Sequence, residues 1–370
     1  MKVSVKRNDL DKALGTVARA VSTRALGSYQ QFVKITASEG AISLEATDDE
    51  LYIKVDIAAD VAEAGDLLVS PLICDLVGKM AGENIEIVKD GGKLTIKGGR
   101  SRYQLVCAAT DIFPRVAEYK QGKFVSVKSG VLADALGKTT FCAYKGAGER
   151  SSYYTSGVLF RFTPEFLDMV ATDGHRLGLK KCRGKFVEES QDIMMPAHNA
   201  DELMRFLPAD PETAIEIYLS PSQVYLEWEG MLVASSLLDV KFPDYSRVIP
   251  QDRATSVLTD RREMHDALRR AIIVSRAKQH NPVVRLKSHD GVISLYTDAT
   301  DVGSGEEDIA CEVTGGDMEI AVNPGYLVDV LGQLGTEKVV LYWNSKVTPL
   351  VISSPEDQDF TYVVMPIRME

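Results

Sequence analysis

The sequence lacks the features that mark several large classes of protein. No run approaches the roughly 18 apolar residues of a membrane helix, and the opening MKVSVKRNDLDKALG lacks the apolar core of a signal peptide. The five cysteines form no CxxC pair, and the five histidines show no metal-ligand spacing. We therefore expect a cytoplasmic protein with reduced core thiols, no metal and no cofactor.

Positive charge is also in short supply. The 370 residues carry 42 Lys and Arg against 53 Asp and Glu, a formal net charge of −11. This balance argues weakly against a nucleic-acid partner, but a sum does not say how charge is distributed over the surface. With 45% hydrophobic residues, the chain can bury the cores of two or three domains.

The sequence contains three copies of one pattern. GAISLEATDDELYI begins at Gly40, EFLDMVATDGHRLGL at Glu165 and GVISLYTDATDVG at Gly291. Each is an alternating strand that ends in Thr-Asp and is followed by a turn and a second strand. The threonines Thr47, Thr172 and Thr297 are spaced 125 residues apart in both intervals. Equal spacing indicates a triplicated unit.

Helical segments recur in the same order. Each copy opens with an amphipathic helix, from Lys6, Lys128 and Asp260, and each has a shorter helix with Pro near its first turn. These patterns predict three α+β domains at 1–122, 123–252 and 253–370, with linkers at 117–124 and 249–256.

The Asp173, His175 and Arg176 cluster has two interpretations. Asp173 has counterparts in Asp48 and Asp298, so its first explanation is a strand-end turn. His175 and Arg176 are unique to the middle copy, which makes them better functional candidates. The alternative is a hydrolase that uses Asp173 with His175, but no nucleophile elbow or phosphate loop accompanies the pair.

The three opening helices each place basic residues opposite the apolar stripe. The first buries Leu10, Leu14, Val17 and Val21; the second Leu132, Leu136, Thr139 and Ala143; the third Met264, Leu268, Ala271 and Ile272. The basic residues opposite are Lys12, Arg19, Lys138, Lys145, Arg262, Arg269 and Arg270. Either these are solvated helix faces, or together they line one concave surface that attracts a polyanion.

Opposite charges on the first and third predicted domains suggest self-association. Arg100 and Arg102 alternate in GGRSRYQL, and Glu306, Glu307 and Asp308 stand in the third copy. A head-to-tail contact between these segments, with Ile272 at the same interface, would close two chains into a two-fold ring and cover exposed strand edges. The alternative is two unrelated surface patches.

At this point the sequence resembles the bacterial DNA polymerase III beta subunits, the sliding clamps. The motifs are ATDGHRL at 171–177, FPDYSRVIP at 242–250, VNPGYLVDVL at 322–331 and YVVMPIRM at 362–369. The resemblance implies a non-catalytic homodimeric ring with sheets outside and helices lining a hole for duplex DNA, held without sequence specificity. A non-catalytic scaffold that does not bind DNA remains the alternative.

The resemblance also implies a groove between the second and third domains for a short linear peptide. Its partners would be the replicative polymerase alpha subunit, the clamp-loader delta subunit, translesion polymerases and mismatch-repair proteins. The implied groove residues are Thr172, Gly174, His175, Arg176, Leu177, Pro243, Arg247, Val248, Tyr326, Val347, Val363, Val364, Met365, Pro366 and Arg368.

The remaining implied residues approach DNA. They are Arg24, Tyr153 and Tyr154. Three positions depart from the family pattern: Ser152 and Thr155 replace an Arg and a Leu common beside the twin tyrosines, and Pro349 replaces a small polar residue. We expect these changes to alter the preference for partner side chains.

Overall fold

The computed structural model describes residues 1–22, 28–146, 153–275, 282–299 and 303–368. Its helices are α1 (Arg7–Val17), α2 (Leu72–Lys79), α3 (Ser129–Thr139), α4 (Ala197–Phe206), α5 (Arg261–Ser275) and α6 (Pro324–Gln333). None of the helices in these ranges is long and apolar enough to cross a membrane.

Antiparallel strands make up most of the described chain. The first are β1 (Lys2–Lys6), β2 (Val33–Ser38), β3 (Ala41–Thr47), β4 (Leu51–Ala58), β5 (Asp60–Glu63), β6 (Gly65–Val69), β7 (Asn84–Asp90), β8 (Lys93–Gly98), β9 (Ser101–Ala108), β10 (Lys123–Lys128), β11 (Gly157–Phe162), β12 (Phe166–Thr172) and β13 (Arg176–Arg183). The others are β14 (Gln191–Pro196), β15 (Ala214–Leu219), β16 (Gln223–Trp228), β17 (Met231–Ser236), β18 (Thr255–Asp260), β19 (Val284–His289), β20 (Val292–Ala299), β21 (Gly303–Thr314), β22 (Met318–Val322), β23 (Lys338–Trp343), β24 (Leu350–Ser354) and β25 (Asp357–Val364).

The chain divides into two compact units. Unit 1 consists of Met1–Gly130 and Glu202–Leu237, and unit 2 of Val131–Asp201 and Leu238–Glu370. Unit 1 contains one sheet of order β10-β15-β16-β17-β4-β3-β2-β6-β9-β8-β7-β1-β5. Unit 2 contains another of order β14-β11-β12-β13-β25-β24-β23-β18-β21-β20-β19-β22. Each sheet therefore combines strands from more than one sequence repeat.

The three strand–turn–strand repeats form three antiparallel hairpins. Thr47 pairs with Tyr52 between β3 and β4, and Thr172 pairs with Leu177 between β12 and β13. In the third hairpin, Thr297 of β20 pairs with Gly305 of β21. The alternation of apolar residues predicted from the sequence is thus the alternation of a sheet with one buried face.

The shared aspartate holds the turn of the first two hairpins. Asp48 Oδ1 accepts hydrogen bonds from the backbone N–H groups of Glu50 and Leu51, at 3.0 and 2.8 Å. Asp173 Oδ1 accepts from the equivalent groups of His175 and Arg176, at 2.9 and 3.0 Å. Because the carboxylate satisfies backbone donors of its own turn, the shared Asp is structural in both copies.

The helices pack their apolar stripes on the sheets, as the periodicity predicts. In α1 the buried residues are Leu10, Ala13, Leu14 and Val17; in α5 they are Met264, Ala267, Leu268, Ala271 and Ser275. Two details differ from the sequence prediction. Ile272 is only partly buried, and so is Val21, which lies beyond the end of α1 and not in its buried stripe. Pro196 ends β14 and directly precedes α4. Pro324 does open α6, capped by the Asn323 side chain on the Gly325 N–H.

We predict that Asp48→Ala destabilises the protein by about 1 kcal/mol, because two backbone donors of the hairpin turn lose their acceptor. Urea denaturation of the variant and the parent measures the difference. Glu39→Ala, at an exposed turn position, is the control and should change stability by less than about 0.5 kcal/mol. Equal stability of Asp48→Ala and the parent would contradict the structural role.

Candidate functional site

One strand pairing brings together two of the segments that carry predicted groove residues. Strand β13 runs antiparallel to β25, with Arg176 opposite Val364 and Leu177 opposite Val363. The register continues beyond the strands, since the Met365 N–H donates to the His175 carbonyl at 2.9 Å. The 172–177 and 363–365 motifs are therefore neighbours although they are almost 190 residues apart in sequence.

The buried side chains at this pairing, where the peptide groove is predicted, are apolar, and we call the region the β13–β25 groove. Leu177 and Val363 belong to a buried cluster that also contains Leu159, Val170, Met194, Phe242, Tyr245 and Val351. Val364 is fully buried too, but it follows Val363 in a strand and so points to the opposite face of the sheet. Of the two valines, Val363 is the one that shares a cluster with Leu177.

Three further residues of the predicted groove are apolar and exposed. Val248, Val347 and Met365 are large hydrophobic residues open to solvent, and Val347 is 69% exposed. Pro243 and Arg247 are exposed in the segment after Phe242, and Arg247 pairs with Asp244 at 3.1 Å. A buried apolar cluster together with exposed apolar side chains at the predicted positions suits the docking of a short apolar peptide segment.

Arg176 holds one wall of the groove. Its Nε donates to Asp173 Oδ2 at 3.0 Å, and its guanidinium forms a second ion pair with Asp329 of α6. The guanidinium also lies 4.7 Å from the ring centroid of Tyr326, which stacks on His175 at 6.5 Å. The Arg176 side chain is only 12% exposed, so it orients its neighbours and does not act as a free surface cation.

A buried polar contact adjoins the apolar cluster that contains Leu177 and Val363. The Tyr245 hydroxyl donates to Asp168 Oδ2 at 2.7 Å, and the other carboxylate oxygen, Asp168 Oδ1, is buried without a hydrogen bond among the described residues. Burial raises the pKa of Asp168, despite the hydrogen bond from Tyr245 and the nearby Lys181. Tyr245 begins the short 3₁₀ turn Tyr245–Val248, which carries Arg247 and Val248.

The geometry leaves Asp173 no role as a catalytic acid or base. One of its oxygens binds two backbone N–H groups and the other binds Arg176. His175 stacks on Tyr326 at the groove surface. Among the residues that the structure describes, no group of three or more His, Cys, Asp or Glu side chains could hold a metal ion.

The predicted basic helix faces carry less free charge than their sequence suggests. In unit 1, Arg19 pairs with Glu202 at 2.9 Å, whereas Lys12 is exposed. In unit 2, Lys145 pairs with Asp201. The expectation that Lys138 faces outward is wrong: it is 16% exposed, because it forms ion pairs with Asp134 and Asp357.

In helix α5, too, one of the predicted basic residues is neutralised by an ion pair. Arg269 is exposed, but Arg270 forms a bidentate ion pair with Glu307 of β21 in the same chain.

Of the two tyrosines predicted to approach DNA, Tyr153 is exposed, whereas Tyr154 packs edge-on against Phe242 at 5.7 Å. Arg24 and Ser152 lie outside the described residues.

Two strand edges are open at the segments predicted to associate. Ser101–Val106 of β9 pair with β8, and their other edge meets no strand of the described chain. Gly303–Ala310 of β21 pair with β20, and pairing with β18 starts only at Cys311. Arg100 lies in the turn before β9, not on the strand face with Arg102 as the alternation predicted.

Exposed apolar side chains accompany these edges. Val106 on β9 is 81% exposed and Tyr103 46% exposed, and Ile273 of α5, beside the partly buried Ile272, is 74% exposed. Of the predicted acidic residues, Glu306 is exposed, Glu307 pairs with Arg270, and Asp308 accepts from Ser294. The paired residues are therefore less available for an intermolecular ion pair.

Comparison with known proteins identifies the class. The models of the DNA polymerase III beta subunit match in order: the N-terminal domain at 1–117, the central domain at 126–244 and the C-terminal domain at 246–368. The fold is thus the three-domain α+β clamp fold. The chain belongs to the DNA polymerase III beta subunit family, whose members are non-catalytic processivity subunits of that polymerase.

Individual relatives agree over their full length. The beta sliding clamps of Synechococcus elongatus and Pseudomonas aeruginosa are each 29% identical to this chain, with all of both proteins covered. The crystal structure of the Pseudomonas aeruginosa DNA polymerase III subunit beta bound to griselimycin has a TM-score of 0.94 at 28% identity, with complete coverage of both chains. Resemblance to the beta subunit family, inferred from sequence motifs, is confirmed.

Several residues that shape the site were not predicted from sequence. Phe242, Tyr245 and Asp168 lie under the groove, and Asp329 anchors Arg176. Asp329 could have been found, because it lies three residues after Tyr326 on one helix face. No periodicity marks Asp168 as the partner of a tyrosine 77 residues away.

We predict that Tyr245→Phe destabilises the protein by about 2 kcal/mol at pH 7, because the buried Asp168 carboxylate loses its hydrogen-bond donor. The pKa of Asp168 is already raised and rises further in the variant. The cost is therefore largest when Asp168 is ionised and shrinks as the pH falls, because protonation neutralises the carboxyl.

Thermal or urea unfolding at a series of pH values measures this dependence. Tyr153→Phe, which removes an exposed hydroxyl, is the matched control and should leave stability unchanged at every pH. A loss for Tyr245→Phe that is the same at pH 4.5 and pH 7 would show that Asp168 ionisation is not involved.

Proposed function

We propose that two copies of this chain close into a ring around duplex DNA and that the β13–β25 groove tethers the replication machinery through short peptides. The observation that supports the proposal is that motifs shared with sliding clamps combine a buried apolar pair, Leu177 and Val363, with the exposed Val248 and Met365. The proposed domains are 1–122, 123–252 and 253–370, and the proposed location is the cytoplasm, at the nucleoid during replication.

The groove suits one short apolar segment flanked by polar contacts. Leu177 and Val363 form a preformed floor, Met365 and Val248 offer adaptable exposed surface, and Arg247 supplies charge at the rim. A shared, adaptable groove fits several proteins that use one motif. The proposed partners are the polymerase alpha subunit, the clamp-loader delta subunit, translesion polymerases and mismatch-repair proteins.

DNA contact in this proposal is loose and independent of sequence. The exposed Lys12 and Arg269, with Tyr153 and Arg24, are the proposed contacts, and the ion-paired Arg19, Lys145 and Arg270 contribute less. An acidic chain with few free cations would be held on DNA by enclosure more than by affinity. This requires a closed ring.

Ring closure is proposed to occur by pairing the open edge of β9 in one chain with that of β21 in the other. Both edges present unpaired backbone groups over six and eight residues, with Val106, Tyr103 and Ile273 exposed nearby. Burial of these side chains and completion of the ladders would stabilise the contact, and Arg102 would face the acidic Glu306.

We predict that deletion of residues 365–369 lowers the affinity for a partner peptide at least about 100-fold, because Met365 and its rim are lost. Calorimetry with a synthetic peptide copied from the clamp-binding segment of a bacterial replicative polymerase measures this, and sedimentation should show an intact dimer. Met365→Ala should weaken binding about tenfold, whereas Met204→Ala, an exposed methionine elsewhere, should not. Unchanged affinity in the deletion would refute the groove assignment.

We predict that Arg100→Glu with Arg102→Glu weakens the dimer, because like charges would then face the acidic edge. Sedimentation at low concentration should show monomer, and retention on nicked circular DNA should be lost. The parent should stay on the circle and leave it after linearisation. Lys185→Glu with Lys287→Glu makes the same change in net charge at other exposed sites and should behave as the parent. A variant that remains dimeric would place the interface elsewhere.

A further inference from the structure

Unit 1 contains a second groove built on the same backbone as the β13–β25 groove. Strand β17 pairs with β4 as β25 pairs with β13, with Tyr52 opposite Ala234. The terminal hydrogen bond is also repeated, since the Ser236 N–H donates to the Glu50 carbonyl at 2.8 Å. Pro114 follows Phe113 just as Pro243 follows Phe242. We call this the β4–β17 groove.

The β4–β17 groove encloses space that a ligand could occupy. A cavity of about 170 Å³ is lined by Thr47, Asp49, Glu50, Tyr52, Pro114 and Ala234, among others. In the repeat these positions correspond to Thr172, Gly174, His175, Leu177, Pro243 and Val363 of the β13–β25 groove. A neighbouring open cleft of about 570 Å³ shares Tyr52 and Pro114 and extends to Tyr119. The first volume suits one small apolar or ring side chain.

The β4–β17 groove carries acidic residues where its counterpart carries His175 and Arg247. Glu50 stands in the place of His175, and Glu118 in the place of Arg247 when counted from the Phe-Pro step. Within the described part of the chain, Asp49 accepts from the neutral Tyr29 hydroxyl and Gln30 amide and forms no ion pair. The three lysines of the cleft are already in ion pairs, Lys34 with Glu45, Lys54 with Asp56 and Lys120 with Glu227.

The cleft also contains an aromatic surface that binds a cation within the chain. Tyr119 stacks on Tyr225 at 4.8 Å and meets Tyr218 edge-on at 5.4 Å. The Lys120 ammonium lies 5.7 Å from the Tyr119 ring and 6.0 Å from the Tyr218 ring. Tyr218 and Tyr225 are buried, so the partly exposed Tyr119 provides the aromatic surface of the cleft. An aromatic face beside carboxylates favours Lys and Arg side chains, whereas phosphate groups would be repelled.

We propose that the β4–β17 groove is a second binding site for an extended protein segment, one with basic residues around a small apolar or aromatic side chain. The apolar residue enters the cavity beside Tyr52 and Ala234. The basic residues face Asp49, Glu50 and Glu118, while Arg115 at the rim disfavours a further cation at that end. The proposal for the β4–β17 groove rests by analogy on the proposed peptide binding of the β13–β25 groove. The two grooves would then select peptide motifs of different charge.

Fluorescence anisotropy of the full-length dimer tests the proposal with a labelled basic peptide, acetyl-Lys-Arg-Leu-Phe-Lys-amide, and its acidic counterpart with Glu and Asp in place of Lys and Arg. We expect saturable binding of the basic peptide and none of the acidic one at this groove. Removal of three charges by Asp49→Asn, Glu50→Gln and Glu118→Gln should weaken binding at least about tenfold. Asn tolerates the positive φ of 79° at position 49, so this variant should keep the fold.

The matched control removes three exposed carboxylates elsewhere, by Glu39→Gln, Glu188→Gln and Glu189→Gln. It should bind the basic peptide within about twofold of the parent. An equal loss in the control, or no binding up to about 1 mM peptide, overturns the proposal.

The deletion of residues 365–369 separates this proposal from the proposed function. The deletion should leave basic-peptide binding unchanged, and its loss would place that peptide in the β13–β25 groove and overturn the second site. If instead the deletion fails to reduce partner-peptide binding, the β13–β25 assignment fails, while the charge-removal result still decides the β4–β17 groove.

Discussion

The antiparallel pairing of β13 with β25 is the constraint on which the candidate site depends. It fixes Leu177 opposite Val363 and places the Met365 N–H on the His175 carbonyl, so two distant segments share one surface. A slip of one residue would turn Val363 away from the apolar cluster and bring Val364 to that face. The Asp173 turn and the ion pairs of Arg176 both act against such a slip, because each ties the start of β13 to fixed neighbours.

Charge pairing within the chain decides which cations remain available. Sequence patterning places seven basic residues opposite the apolar stripes of three helices, yet Arg19, Lys138, Lys145 and Arg270 each meet a carboxylate of another element. An exposed ion pair contributes about 0–1 kcal/mol to stability, but it cancels most of the field that a cation projects. A weak net field is consistent with a protein that must stay on DNA and yet move along it.

The repeat made most of the fold predictable from sequence. The equal spacing of Thr47, Thr172 and Thr297 predicted the hairpins, and the 3.6-residue periodicity predicted the buried faces of α1 and α5. The groove residues followed from motifs of a known family and not from periodicity. What could not be predicted depends on side-chain partners distant in sequence: the burial of Lys138 by Asp357, the hydrogen bond between Tyr245 and Asp168, and the turn position of Arg100. Pattern assigns a residue to a face, but only the tertiary structure shows what it meets there.

Comparison of the two hairpins shows which residues of the repeat are needed to form the turn and which can be substituted. In both hairpins Thr and Asp close the turn through the same hydrogen bonds: Thr47 and Thr172 each donate to the carbonyl four residues on, and Asp48 and Asp173 each accept from two backbone N–H groups. Substituting either residue would open a turn, so neither position is free to specify a ligand. Glu50 and His175 give backbone N–H groups to the turn, and their side chains can differ without opening it. In the proposal, divergence at such positions changes what a groove binds without changing how it is built.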